Sequence, residues 1–445
     1  MNNSSPRLIN GPVGSTLIRL TFPMLIGIFS IIAFNLMDTW FVAKLGTIEL
    51  AAMSFTFPVV IVIAGIAQGI GVGTASVISR TIGEGDHHKV QRITTDALTL
   101  SLIIVVSFLI TGILTIDPLF RALGASPEIL PLIKRYMIIW YPGVAFVFFP
   151  MVGNNAIRAT GDTKTPALIM IISAIINLIL DPLLIFGIGP FPRLELEGAA
   201  ASTVFARFIS MIISLRILHF REKMLTFARP AIKKVLESWK KILYIGLPAS
   251  GINLIIPVSM GIITRFVAEY GPEAVAALGV SLRIEAFSLT IVMALSTVLT
   301  PFVGQNWGAK KIDRLKLAVK YSERFALSWG LLLIFIFILF GEITAGAFSN
   351  NPVVMETIKL YLFIVSLSYG FQSLLMLSGS VLYALNKPLP SAILSLIRMI
   401  VVYVPLAYIG SFLFKLPGIF WAASIANVIS GTLAYLWVRK ILKNL

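Results

Sequence analysis

Pro23 and Pro248 each open a copy of one pattern, so that the chain of 445 residues is written twice. The run through Pro23 to Gly27 returns through Pro248 to Gly251. Gly46, with Glu49 to Ala52 behind it, returns as Gly271 with Glu273 to Ala277. Late in each half the match resumes, Arg158 to Pro166 against Leu382 to Pro390 and Leu196 to Gly198 against Leu416 to Gly418. A repeat of about two hundred residues, each copy strongly apolar, constrains the chain to a duplicated bundle, a plan typical of secondary transporters.

The solvent of that bundle is lipid. Hydrophobic residues make up 57% of the chain and charged residues 13%, more apolar surface than a water-soluble interior can hide. Runs long enough to cross about 30 Å of hydrocarbon lie near residues 16–44, 50–80, 94–115, 129–153, 165–189 and 196–220. A second set lies near 241–268, 275–305, 316–341, 354–380, 389–413 and 417–441. The expected fold is therefore all-α and integral to the membrane, with twelve transmembrane helices in two six-helix bundles. An even number of spans per copy gives both the same orientation, so their pseudo-twofold axis lies along the membrane normal. The expected domains are an N-terminal lobe at 1–220, a cytoplasmic amphipathic linker at 221–241 carrying a short surface helix, and a C-terminal lobe at 242–445.

The formal charge of +16 does not form a nucleic-acid surface. The basic residues punctuate the apolar runs, crowding alternate loops: Arg80, Lys89 and Arg92; Arg158 and Lys164; 221–241; 310–324; and Arg439, Lys440 and Lys443. That alternation predicts a multi-pass protein of the inner, cytoplasmic membrane with both termini cytoplasmic, and its partners are membrane lipid and small molecules rather than nucleic acid. The absence of cysteine excludes disulfides and thiol chemistry. His87, His88 and His219 have no ligand partners at metal-binding spacing, and no nucleophile, base and orienting group occur together, so the chain reads as no enzyme. Gly69, Gly71 and Gly73 resemble a nucleotide loop only superficially. They stand inside an apolar helix with no strand before it, where close helix packing explains them.

Acids inside apolar helices cost about 2.5–3.5 kcal/mol on insertion scales and mark function. Asp38 and Asp181 are such acids, on the first and fifth helices, each roughly 12 Å from the helix's outer end at 1.5 Å per residue. Asn35 and Asn177 share their faces at helical spacing, and Tyr136 and Thr203 descend on two further helices to nearly the same depth. Such oxygens can share a proton or hold a hard cation, Na+ included, and a satisfied polar network that pins the helices is the alternative. The second copy has no acid at the matching places: Val404 and Pro405 stand where Asp181 and Pro182 stood.

The runs at Arg19 to Gly27, Asn35 to Asp38, Asn177 to Pro182 and Gly198 to Thr203 resemble the multidrug and toxic compound extrusion (MATE) family, its DinF-like branch in particular, over nearly the whole chain. The resemblance implies an antiporter that expels cationic or amphipathic toxicants in exchange for protons or Na+, needing no cofactor, alternating between outward- and inward-open forms, and acting as a monomer. It implies that Asp38, Asn177, Asp181 and Thr203 form the cation or proton site, that Tyr136 and Asn154 belong to the same polar network, and that the first helix bends at Pro23. Phe34, Met37, Phe55, Phe146, Phe149, Met260, Phe287 and Met293 could line an apolar drug surface. A lipid-linked oligosaccharide flippase of the wider superfamily would need cations for pyrophosphate, with Arg207, Arg283 and Arg398 available. An ion channel is the alternative of another class.

Overall fold

The computed structural model describes residues 7–228 and 231–445, and is helical over nearly all of each apolar run read from the sequence. Residues 1–6 of the expected first lobe and Arg229 and Pro230 of the expected linker lie outside the described residues. In chain order the first half holds α1 (Val13–Ala43), α2 (Thr47–Glu84), α3 (His87–Ala122), α4 (Leu130–Ala159), α5 (Lys164–Phe186) and α6 (Glu195–Arg216), which ends in a π-helical turn at Ile217–Arg221. Then come α7 (Ile232–Ala268), α8 (Pro272–Ser288), α9 (Thr290–Gly308), α10 (Ile312–Gly346), α11 (Pro352–Ser366), α12 (Tyr369–Ala384), α13 (Pro388–Leu396), a π-helical stretch at Ile397–Tyr403, and α14 (Val404–Lys443).

Twelve spans result among the described residues. α8 and α9 form one crossing bent by 46°, and α11 and α12 another bent by 57°. From Pro388 to Lys443 the helix runs 56 residues, far more than one crossing needs at about 1.5 Å per residue. It divides at Lys415, whose φ of 54° is left-handed, where Gly410 and Gly418 bring their backbones together. A Cβ on Gly418 would stand 2.0 Å from the Gly410 carbonyl oxygen, so only glycine permits this tight return between spans.

Two compact units divide inside α1, after Thr21, and inside α7, after Ser250, each break close to the proline that opens its repeat. Phe22–Ser250 belongs to the first unit and Gly251–Leu445 to the second, which also includes Ile9–Thr21. There, Arg314 donates from Nη1 to the Gly11 carbonyl at 2.6 Å and Lys311 donates to the Ile9 carbonyl at 3.0 Å. Within the first unit α4 packs on α2, α3 and α6, and α5 on α6. Its core gathers Phe120, Ile133, Met137, Tyr141, Phe148 and Ile185.

The basic stretch before the second half differs from expectation. Ile232 to Lys241 are the opening turns of α7 rather than a separate surface helix, because the periodic apolar residues run into the next span with no Gly or Pro before Gly246. Trp239 ties these turns to α3 by donating to the Asp96 carbonyl at 2.8 Å.

At the end of the sixth span, Arg221 bridges the α4–α5 loop to its own neighbour. It donates to Asp162, and its Nε donates to Glu222 at 2.9 Å; Arg7 donates to the other Glu222 oxygen at 3.1 Å. Burial pushes the Asp162 carboxyl up, but hydrogen bonds from Thr165 and the Arg221 guanidinium outweigh it and hold the group below the ordinary carboxylate range. This support is therefore complete above pH about 4, the unfolded value, and is lost as pH falls through the lower folded value. Asp162→Asn is expected to cost about 1–3 kcal/mol at pH 7. Unfolding curves at pH 7 and pH 3 check it, the deficit shrinking at the lower pH.

Candidate functional site

Asp181 lies on α5 with an exposed fraction of 0%, one turn beyond Asn177, so helical geometry alone joins the two. Asn177 donates from Nδ2 to Asp181 Oδ1 at 3.0 Å, and the same nitrogen lies 3.3 Å from Ser202 Oγ and 3.4 Å from Thr203 Oγ1 on α6. Ser202 also donates to Asp181 Oδ1. α6 can come this close because Gly198, four residues earlier, leaves room for α5: a Cβ there would stand 2.5 Å from the Leu184 carbonyl oxygen.

Asp38 comes from α1 and is 7% exposed. Its charge and that of Asp181 act on one another, and the buried Tyr136 of α4 feels both. Asp38, Asn177, Asp181, Thr203 and Tyr136 are thus brought together. The structure does not bring in the other two predicted members. Asn35 is exposed and, among the described residues, its side chain makes no hydrogen bond. Asn154 is buried, but it lies eighteen residues past Tyr136 on α4, about 27 Å along the axis. Pro23 lies inside α1, which is continuous across it.

Of the apolar residues, Phe34 is buried, Met37 and Phe55 pack against the first unit's core, and Phe146, Phe149 and Met260 are half-buried. Phe287 and Met293, on α8 and α9, are exposed.

Three oxygens in the first unit decide what the cluster can do. Asp38 Oδ1, Asp181 Oδ2 and Asn177 Oδ1 are buried with no hydrogen-bond donor among the described residues. Buried acceptors almost always find a donor, and a satisfied network pinning the helices would leave none of these bare. A proton or a hard cation is the species that satisfies oxygens of this kind, and two carboxylates in one site cannot both stay ionised without it.

Sequence reasoning missed two groups. Ser202 sits beside Thr203, and only the α5–α6 contact shows which of the neighbours reaches Asp181. Glu285, the only acid between residues 275 and 305, gives the second unit a polar centre of its own, away from the places the repeat matches. Tyr361 donates to its Oε2 at 2.7 Å and Gln372 to its Oε1 at 2.9 Å. Asn427 extends the chain, donating to Gln372 Oε1 at 3.2 Å and to Ser368 Oγ at 2.9 Å. Both carboxylate oxygens here have donors, the arrangement of a helix-pinning network and the opposite of Asp38 and Asp181.

The MatE family model matches the chain twice, over residues 23–183 and 248–409, beginning at each of the two repeat prolines. A protein of Shewanella oneidensis described as an FAD transporter is 40% identical over 434 residues, 98% of this chain and 96% of its own. The multidrug export protein MepA of Staphylococcus saprophyticus is 25% identical, over 95% of this chain and 92% of its own. The crystal structure of the Vibrio cholerae MATE transporter VcmN in its bent form superposes with a TM-score of 0.92 at 30% identity, covering 97% of each chain. Matched in both halves and along nearly its full length, the chain belongs to the MatE family, multi-pass membrane transporters and not enzymes.

Proposed function

We propose that the chain is an ion-coupled exporter of the inner membrane, with both termini cytoplasmic, whose cargo is a flavin dinucleotide and whose driving ion, a proton or Na+, binds between Asp38 and Asp181. The single observation behind the coupling is the set of buried acceptors without donors on Asp38, Asp181 and Asn177. An ion arriving there removes the repulsion between the carboxylates, and α1 repacks about Pro23, where the proline cannot donate to the preceding turn. Repacking loosens the cargo and the site returns to the other side by alternating access. The alternation of basic loops supports the orientation.

The choice of cargo rests on similarity, 40% to the FAD transporter against 25% to the multidrug exporter. The second reading, export of cationic or amphipathic drugs, is favoured by that multidrug relative and by the adaptable apolar side chains Met37 and Phe55 at the edge of the first unit's core.

Proteoliposomes holding the full chain, under separately imposed pH and Na+ gradients, test both. FAD efflux driven by at least one gradient is the expected result. Efflux of cationic dyes without FAD would replace the proposed cargo by the drug reading, and movement of neither under any gradient would overturn the exporter.

A further inference from the structure

We infer that Arg207 and Phe34 form a binding site for the phosphate groups of the cargo, within the first unit, with Phe34 one helical turn from Asp38 on α1. The inference deepens the proposed cargo and rests on it.

Arg207 stands in the middle of α6. It is twelve residues from Glu195 and nine from Arg216, about 18 Å and 14 Å along the axis. An arginine near a helix end buries its stem and lifts its charge to the headgroups. From mid-helix neither headgroup layer is within reach, so the guanidinium must find its partner inside the protein or in what the protein carries.

The protein supplies only part of that partner. The guanidinium carbon lies 5.5 Å from the ring centre of Phe34, which is buried on α1. Nε is enclosed and has no hydrogen-bond partner among the described residues. Among the described residues Arg207 enters no ion pair, although Thr203 lies one turn away on the same helix and Asp38 one turn from Phe34. An aromatic ring against a guanidinium fixes its plane and leaves the N–H edge to bind. That edge is a planar fork that fits two oxygens of a phosphate. A pyrophosphate joined to flat rings, the chemistry of a flavin dinucleotide, presents both features this pair recognises.

The placement also links cargo to ion. Phe34 and Asp38 share a face of α1, so repacking of that helix when the acids are neutralised shifts the ring that holds the guanidinium. The phosphate grip and the ion site thereby change together.

Tryptophan quenching on the full chain in lipid nanodiscs, titrated with FAD and with riboflavin, which has the ring system but no phosphate, tests the site. Wild type is expected to prefer FAD at least tenfold. Arg207→Gln is expected to lose that preference, and Arg207→Lys, which keeps the charge without the fork, to keep part of it. If Arg207→Gln does not fold, the lysine variant decides, with an FAD preference at least threefold below wild type as the supporting result. A wild-type preference in the folded variant would overturn the site and leave the exporter standing. Flavin binding by wild type without preference for FAD would also overturn the site, and no flavin binding at all would take the proposed cargo and this inference down together.

Discussion

Asp38→Asn is expected to reduce gradient-driven export by at least tenfold while leaving the protein folded. The side chain is buried and, among the described residues, its Oδ1 has no donor and it makes no ion pair, so asparagine of the same shape removes charge and breaks no hydrogen bond seen there. A group that only pins helices would be replaced at little cost to transport. Asp181→Asn should be as damaging to transport and worse for stability. Asn177 and Ser202 both donate to Asp181 Oδ1, charge-assisted bonds that the neutral oxygen of an amide accepts more weakly. Initial efflux rates under a fixed gradient, alongside gel-filtration profiles, separate the two effects.

Gly69→Val is expected to abolish folded protein outright. α2 and α7 cross within the first unit with backbone against backbone: a Cβ at Gly69 would stand 2.5 Å from the Ser250 amide nitrogen and 2.7 Å from the Gly246 carbonyl oxygen. One turn on, a Cβ at Gly73 would stand 2.5 Å from the Ile242 carbonyl oxygen. These contacts are to main chain and cannot be relieved by a rotamer change. Helix association in lipid depends on such packing, since lipid tails are as apolar as leucine and no hydrophobic force draws the helices together. Overpacking in well-packed cores costs about 1–3 kcal/mol, and a valine against two backbone atoms lies at or beyond the top of that range. Yield of monodisperse protein in mild detergent, wild type against variant, is the measurement, and a wild-type yield would show the crossing to be looser than described.

These two positions also show what the chain discloses before it folds. The glycines were legible as a packing face because they recur inside an apolar run, and the spans because hydrocarbon thickness sets their length. Asp38, Asn177 and Asp181 were legible because charge in such a run is expensive and helical spacing puts Asn177 and Asp181 on one face. The breaks at Leu289 and Leu367 were not, for no proline or glycine marks them. They are stabilised from elsewhere: Trp329 of α10 donates to the Ser288 carbonyl at 2.9 Å, and Ser424 of α14 to the Ile364 carbonyl at 2.7 Å. A freed carbonyl in lipid needs a partner, and that partner is remote in sequence. Glu285 escaped notice for a related reason. Comparison with the first copy directs attention to matched positions, whereas this carboxylate answers to Tyr361 and Gln372, which only folding gathers. Asn154 entered only through the family resemblance, and its place on α4, eighteen residues past Tyr136, sets it apart from the acids in depth.

A driving ion held between Asp38 and Asp181 must enter as cargo leaves, so ion entry on addition of cargo reports on that site. Vesicles loaded with a pH-reporting or a Na+-reporting dye, holding wild type or the Asp38→Asn, Asp181→Asn double variant, would be given FAD on the side from which it is exported. Wild type is expected to show a cargo-dependent ion flux and the double variant none. An undiminished flux in that variant would place the ion elsewhere than between Asp38 and Asp181.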